Sequence, residues 1–169
     1  KRKGHKFILK AIADLKNEFP NILYLVAGKG PFLNEIISYA KKLKIEKHVE
    51  FLGWITEPEK SLILKHSNLF VMTPSIIGES VEGFGMAFID AAFHGIASVG
   101  TNSGGIADAI IDRETGLLCK SEDQADITKK IRKVLLDTEL RKNMGNKGKE
   151  IAANQYTWEN KIKEYLEEV

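Results

Sequence analysis

The sequence is poor in residues that carry several common chemistries. It holds one cysteine, Cys119, in 169 residues. An intrachain disulfide and a cysteine-based zinc site are therefore both excluded, and a reducing, cytoplasmic setting is expected. The four histidines, His5, His48, His66 and His94, are scattered, and none stands at a metal-ligand spacing. There is no Gly-x-Ser-x-Gly elbow and no Walker lysine motif, which argues against an α/β-hydrolase or a P-loop enzyme. No apolar run approaches the ~20 residues that a membrane-spanning helix needs, and no signal-peptide pattern is visible. Neither sign of charge dominates, with 25 basic and 23 acidic residues and a net charge of +2. That balance gives no global attraction to nucleic acid or to a membrane. The run Lys41-Lys42-Leu43-Lys44 reads as a solvated face.

What is present is a hydrophobic fraction of 43% with 28% charged residues, the balance of a soluble globular chain. Residues 1–169 suit a single domain with its own core. Phe7, Ile8, Ala11, Ile12 and Leu15 recur at helical spacing, predicting a helix over 5–18. Short apolar runs at 22–27, 48–51, 68–72, 96–99 and 116–119 read as buried strands. Helical patterns stand between them, opened by Pro31 and Pro58 and, later, by Phe84. From about Glu122 the pattern is helical to the end, with Thr157 placed to cap a last helix. Strands alternating with helices predict a Rossmann-like parallel sheet covered on both faces. Ligands in such sheets bind beyond the carboxyl ends of the strands.

Four loops fall on that edge. Gly28-Lys29-Gly30-Pro31 lets a backbone approach a ligand closely, and equally suits a plain turn. Gly53-Trp54-Ile55-Thr56 could sandwich a flat base or use Trp54 for packing. The loop from Pro74 to Gly85 is the most informative. Glu82 precedes Gly83, Phe84 and Gly85, where a helix start would point the amides of Phe84 to Ala87 into a cleft. A carboxylate repels a phosphate but accepts hydrogen bonds from sugar hydroxyls, so the pair suits a ligand carrying both. Asp90, two turns on, could accept from a further diol; the alternative is a helix-end acid and a surface residue. Gly100 to Gly105 suits close ligand approach, or a simple flexible turn.

Glu82-Gly83-Phe84-Gly85-Met86-Ala87-Phe88-Ile89-Asp90-Ala91 resembles the Glu-Gly-Phe-Gly … Glu-Ala signature of group 1 glycosyltransferases, family 4. Lys3-Gly4, Gly28-Lys29-Gly30-Pro31, Val49-Glu50-Phe51-Leu52-Gly53, Gly104-Gly105 and Tyr156-Thr157-Trp158-Glu159 are similar to further family motifs, so the resemblance covers nearly the whole chain. It implies the C-terminal, donor-binding half of the two-domain GT-B fold. It also implies a retaining hexosyltransferase that uses a nucleotide-diphosphate sugar for glycan biosynthesis and needs no cofactor or metal. By position it assigns Lys3 to the diphosphate and Glu82 to the donor sugar as the catalytic residue. The backbone of Gly83, Phe84, Gly85, Met86 and Ala87 falls to sugar and phosphate, Gly28 and Gly30 to the donor, Ile55 to the base and Asp90 to the ribose. Asp90 is one methylene shorter than the family's glutamate, Asp108 replaces a glutamate and Ala97 a proline.

The family's opening strand and its N-terminal acceptor domain are missing from the sequence, and the chain enters its first helix abruptly, as an excised domain would. The expected partners are a nucleotide sugar and that acceptor half, with no nucleic acid, no transmembrane segment and peripheral membrane attachment left to the whole protein. Alone, the chain is expected to bind donor weakly and not to transfer sugar. A sugar-nucleotide epimerase of GT-B architecture and a non-catalytic nucleotide-sugar-binding domain are the alternatives.

Overall fold

A computed structural model describes residues 2–157 except 77 and 79, together with 160, 162 and 166. The chain alternates helix and strand: α1 (His5–Leu15), β1 (Tyr24–Ala27), α2 (Leu33–Lys42), β2 (Val49–Gly53), α3 (Glu57–His66), β3 (Phe70–Val71), α4 (Met86–Phe93), β4 (Ser98–Thr101), α5 (Ile106–Ala109), β5 (Gly116–Cys119), α6 (Gln124–Leu136) and α7 (Thr138–Gln155). All strand pairs are parallel. This is the α/β architecture expected from the sequence.

Side chains alternate across the strands, as the pleat requires. Val71, Val99, Leu117 and Cys119 face the cluster built on α1 and α6, which includes Ala11, Leu15, Ile127 and Ile131. Their neighbours Phe70, Met72 and Leu118 face the opposite side, toward Phe88, Ile106 and Ile110. A third cluster seats α1 and α2 on β1 and β2 through Ile8, Leu9, Val26 and Ile45. Each fully buried aliphatic side chain here stabilises the fold by about 1.5–3 kcal/mol. Helices therefore cover both faces.

Several boundaries differ from the sequence expectation. Pro31 does not open α2; Phe32 is the N-cap and Leu33 the first helical residue. The helix expected from Phe84 begins at Met86, because Gly85 at φ 80° is left-handed and cannot continue a helical turn. The fourth strand is displaced toward its carboxyl end, so Gly100 and Thr101 belong to β4 and not to a loop. A Cβ at Gly100 would lie 2.8 Å from Ile110 Cδ1 and 3.0 Å from Phe88 Cζ. Its glycine serves helix packing and not ligand approach. Pro58 falls just inside α3 as anticipated, behind a capping box in which Thr56 and Glu59 satisfy each other's backbone amides. Thr157 Oγ1 accepts from the Asn160 amide at 3.3 Å, the capping geometry expected of it; Trp158 and Glu159 lie outside the described residues.

The sheet is also divided. Among the described residues β1 pairs only with β2, while β3, β4 and β5 form a second set. Val71 of β3 packs against both the α1/α6 and α1/α2 clusters, so the two sets are neighbours although their strands are not hydrogen-bonded.

Candidate functional site

The carboxyl ends of the parallel strands release Gly28, Trp54-Ile55, the segment from Thr73 to Gly85, and Asn102 to Gly105, all on one edge. The entry to α1 joins them. The Ser75 amide donates to the Arg2 carbonyl oxygen at 3.0 Å, and Thr73 Oγ1 donates to the Gly4 carbonyl oxygen at 3.1 Å. A Cβ on Gly4 would stand 1.9 Å from the Thr73 oxygen, and Gly4 has φ 74°. Only glycine lets these backbones meet. The contact brings Lys3 to the third loop.

There Lys3 Nζ donates to Glu82 Oε2 at 2.6 Å, and Arg2 Nη1 donates to the same oxygen. The Glu82 side chain is 13% exposed. Burial on its own would raise its carboxyl pKa. The hydrogen bond and charge of Lys3, joined by Arg2, outweigh burial and hold it below the ordinary carboxylate range. Glu82 is thus an ionised, cation-paired group at neutral pH. Lys3 and Glu82, which the resemblance assigns to different parts of one ligand, meet directly. Arg2 is a further cation of the site beyond those the resemblance assigns, and its place beside Lys3 in the sequence is the signal that points to it.

The main chain of the same loop is fixed from below. The Gly105 amide donates to the Glu82 carbonyl oxygen at 3.0 Å. A Cβ on Gly105 would fall 1.8 Å from the Gly83 oxygen, and one on Gly104 would fall 2.4 Å from the Glu82 oxygen. The fourth loop is therefore a backbone support for the third. Beyond it, the amides of Phe84, Gly85, Met86 and Ala87 make no hydrogen bond among the described residues. They are free donors at the positive end of α4. The Phe84 ring turns away from them to meet Tyr156 at 5.6 Å, while Met86 is 63% exposed on the edge.

The other expected residues are distributed as follows. Gly28 has φ 116° and donates its amide to the Gly53 oxygen at 2.6 Å. Cβ atoms at Gly28 or Gly30 would meet nothing within 4 Å, so both border open space. Trp54 is 74% exposed, which removes the packing alternative for it. Ile55 is half-buried beside it. Asp90 is not bare: Lys60 Nζ donates to its Oδ2 at 2.9 Å. His94 sits at the end of α4 and binds Ser61 Oγ and the Asp90 carbonyl oxygen, a structural position. Asp108 lies exposed on the short α5. A shallow concavity of about 350 Å³ at the opposite, amino end of β2, rimmed by Lys16, Lys44, Lys47 and His48, shares none of these residues. No described helix is long and apolar enough to cross a membrane.

An ionised carboxylate, two cations and a row of amides unpaired among the described residues stand together at the carboxyl ends of the strands of a Rossmann-like sheet, an arrangement whose helix amides suit an anion. The sequence profile of glycosyl transferases group 1 matches residues 1–151, and the chain belongs to that family. It is 27% identical over 159 residues to the GDP-mannose-dependent alpha-(1-6)-phosphatidylinositol monomannoside mannosyltransferase of Mycolicibacterium smegmatis, an alignment covering 93% of this chain and 42% of that protein. Among solved structures, the C-terminal domain of the group 1 glycosyl transferase LpcC from Francisella tularensis superposes with a TM-score of 0.80 at 22% identity, over 94% of this chain and 82% of that one. Anabaena Alr3699/HepE in complex with UDP gives 0.85 at 20% identity, over 99% and 46%. These likenesses establish the fold as that of a GT-B half. The chain spans about two-fifths of the length of the curated relative it matches.

Proposed function

We propose that this chain is the donor-binding, C-terminal half of a retaining hexosyltransferase that moves a sugar from a nucleotide diphosphate to a glycan or lipid acceptor. The observation that carries the reading is the pairing of Glu82 with Lys3 and Arg2 on the loop that leads into the unpaired amides of Phe84 to Ala87. An arriving diphosphate competes with Glu82 for Lys3 and Arg2 and takes up the amides. Glu82, freed of its cations and still ionised, then accepts from a hydroxyl of the donor sugar. As the glycosidic bond to the diphosphate breaks, charge grows on the leaving oxygen, and the same cations and amides stabilise it without rearrangement. Each charge-assisted hydrogen bond of this kind contributes about 1.5–3 kcal/mol. In this scheme side chains and the α4 dipole supply the positive charge that the diphosphate requires, and the chain brings no cofactor of its own.

Gly28 and Gly30 border the donor, Ile55 meets the base through its backbone beside exposed Trp54, and Asp90 faces the ribose. The divided sheet supports a further part of the reading: β1 and β3 each carry ladder hydrogen bonds on one edge only among the described residues. A strand entering between them would join both sets into one sheet, as a preceding segment of a longer enzyme would. The acceptor domain is the partner that closes the cleft, and its surface decides any peripheral attachment to a membrane on the cytoplasmic side. The family and the mannosyltransferase relative are transferases by name, which favours transfer over the epimerase and the non-catalytic alternatives.

The test is Glu82→Ala in the full-length protein, assayed for sugar transfer. Turnover is expected to fall by about 10²–10³-fold, the loss seen when one preorganised electrostatic group is removed from a transition state. Turnover within a few-fold of wild type removes Glu82 from the mechanism.

A further inference from the structure

Lys60 belongs to none of the four loops, yet it reaches the site through Asp90. Its Nζ donates to Asp90 Oδ2 at 2.9 Å and lies 2.7 Å from Glu57 Oε2. The next residue, Ser61, places its hydroxyl 2.8 Å from His94 Nε2, and His94 Nδ1 lies 2.8 Å from the Asp90 carbonyl oxygen. Two consecutive residues of α3 thus grip positions 90 and 94 of α4, which share one helix face. These contacts cross from α3 to α4 at the point from which Asp90 projects. The amino end of α3 is fixed as well, by its capping box immediately after Trp54-Ile55. Lys60 therefore couples the helix behind Trp54 and Ile55 to the helix that carries the free amides.

The Asp90 side chain is 36% exposed, and its Oδ1 accepts no hydrogen bond among the described residues. A half-exposed carboxylate left alone samples several rotamers and loses that freedom on binding. Tethering one oxygen removes part of the loss and aims the other. We propose that Lys60 is a positioning residue: it holds Oδ2 of Asp90 so that Oδ1 is presented to the vicinal diol of the donor's nucleoside. This rests on the reading of the edge as a nucleotide-sugar site. An ion pair this exposed contributes little to folding, so the effect of Lys60 falls on ligand affinity.

The experiment is a double-mutant cycle by calorimetric titration of the full-length protein. UDP, GDP and ADP are each titrated, and the tightest of them is compared with its 2′,3′-dideoxy counterpart. Asp90→Ala is expected to weaken the natural nucleotide about tenfold, and Lys60→Met by about three- to tenfold, with an unchanged melting temperature. The double variant should match Asp90→Ala within about twofold, because Lys60 acts only through Asp90. The dideoxy nucleotide should be indifferent to Lys60→Met, and Lys60→Arg should recover most of the lost affinity. Additive losses in the double variant, or an equal loss for the dideoxy nucleotide, overturn the positioning role and leave the nucleotide site standing. Unchanged binding in Asp90→Ala removes Asp90 from the diol and overturns the proposal while the nucleotide site stands; no binding of any of the three nucleotides by the unaltered protein overturns the site reading and the proposal with it.

Discussion

Gly105→Ala tests whether the fourth loop sets the position of the third. Gly105 has φ −81°, a value open to any residue, so alanine introduces no backbone strain. Its added Cβ would lie 1.8 Å from the Gly83 carbonyl oxygen. Restoring the 3.0 Å below which real Cβ contacts are not found needs a displacement of about 1.2 Å, and both partners are backbone, so no side chain can swing aside. The movement falls on Gly83 and is passed to the amides of Phe84 to Ala87. A misplacement of about 1 Å in a site of this kind costs about 10²-fold in rate. Overpacking of this sort also costs about 1–3 kcal/mol of stability, each kcal/mol lowering the melting temperature of a chain this size by about 2–4 °C. Sugar transfer by the full-length protein and a thermal melt read the two effects together. Wild-type turnover with an unchanged melt would show that the two loops do not touch as described and would refute the reasoning. A lowered melt with intact turnover would show that the amides of the third loop do not act in transfer.

Two glycines of α7 should respond in opposite directions. A Cβ at Gly148 would make ordinary contacts at 3.5 Å or more, so Gly148→Ala should stabilise the helix by about 0.5–1 kcal/mol. At Gly145 the Cβ would lie 2.0 Å from the Gly95 oxygen, and Gly145→Ala should lower the melting temperature by several degrees; equal shifts for the two would contradict the packing. His5 should impose a pH dependence. Burial first, then nearby positive charge including Lys3, holds it below the ordinary histidine value of 6.5. The unfolded chain therefore binds its proton more tightly than the folded one, and stability is complete above about pH 6.5 and declines as the pH falls below it. Thermal melts between pH 7.5 and 5 should show that decline, and His5→Gln should flatten it; the same slope in both proteins would exclude His5 as its source.

Much of the site was legible because its chemistry is local. Glu82, Gly83 and Gly85 stand together in the chain, so the grouping of a carboxylate with a glycine-rich helix start is visible without any long-range contact. The alternation of apolar runs and helical patterns likewise marked every strand. What escaped was non-local. Nothing adjacent to Lys60 tells that its ammonium ion meets Asp90 thirty residues on, and the pairing of Lys3 with Glu82 joins segments 79 residues apart in the chain. The start of α4 was misplaced by two residues because Phe84 continues the apolar pattern, whereas the left-handed turn at Gly85 decides the boundary. Gly100 falls in β4 and not in the expected turn; composition does not separate a glycine that spares room for a helix from one that spares room for a ligand.

The contact between α7 and the end of α4 has a mechanical meaning. Gly145 lies against the Gly95 carbonyl oxygen and Gly148 against Ala92, so α4 is mounted on its neighbour almost main chain to main chain. Such a bearing contains no long side chain whose rotamers can flicker, and close-packed interiors of this kind yield little under load. The unpaired amides at the front of α4 are carried on a helix held in this way. The stiffness of the candidate site is thus set in part by two glycines that lie on another helix.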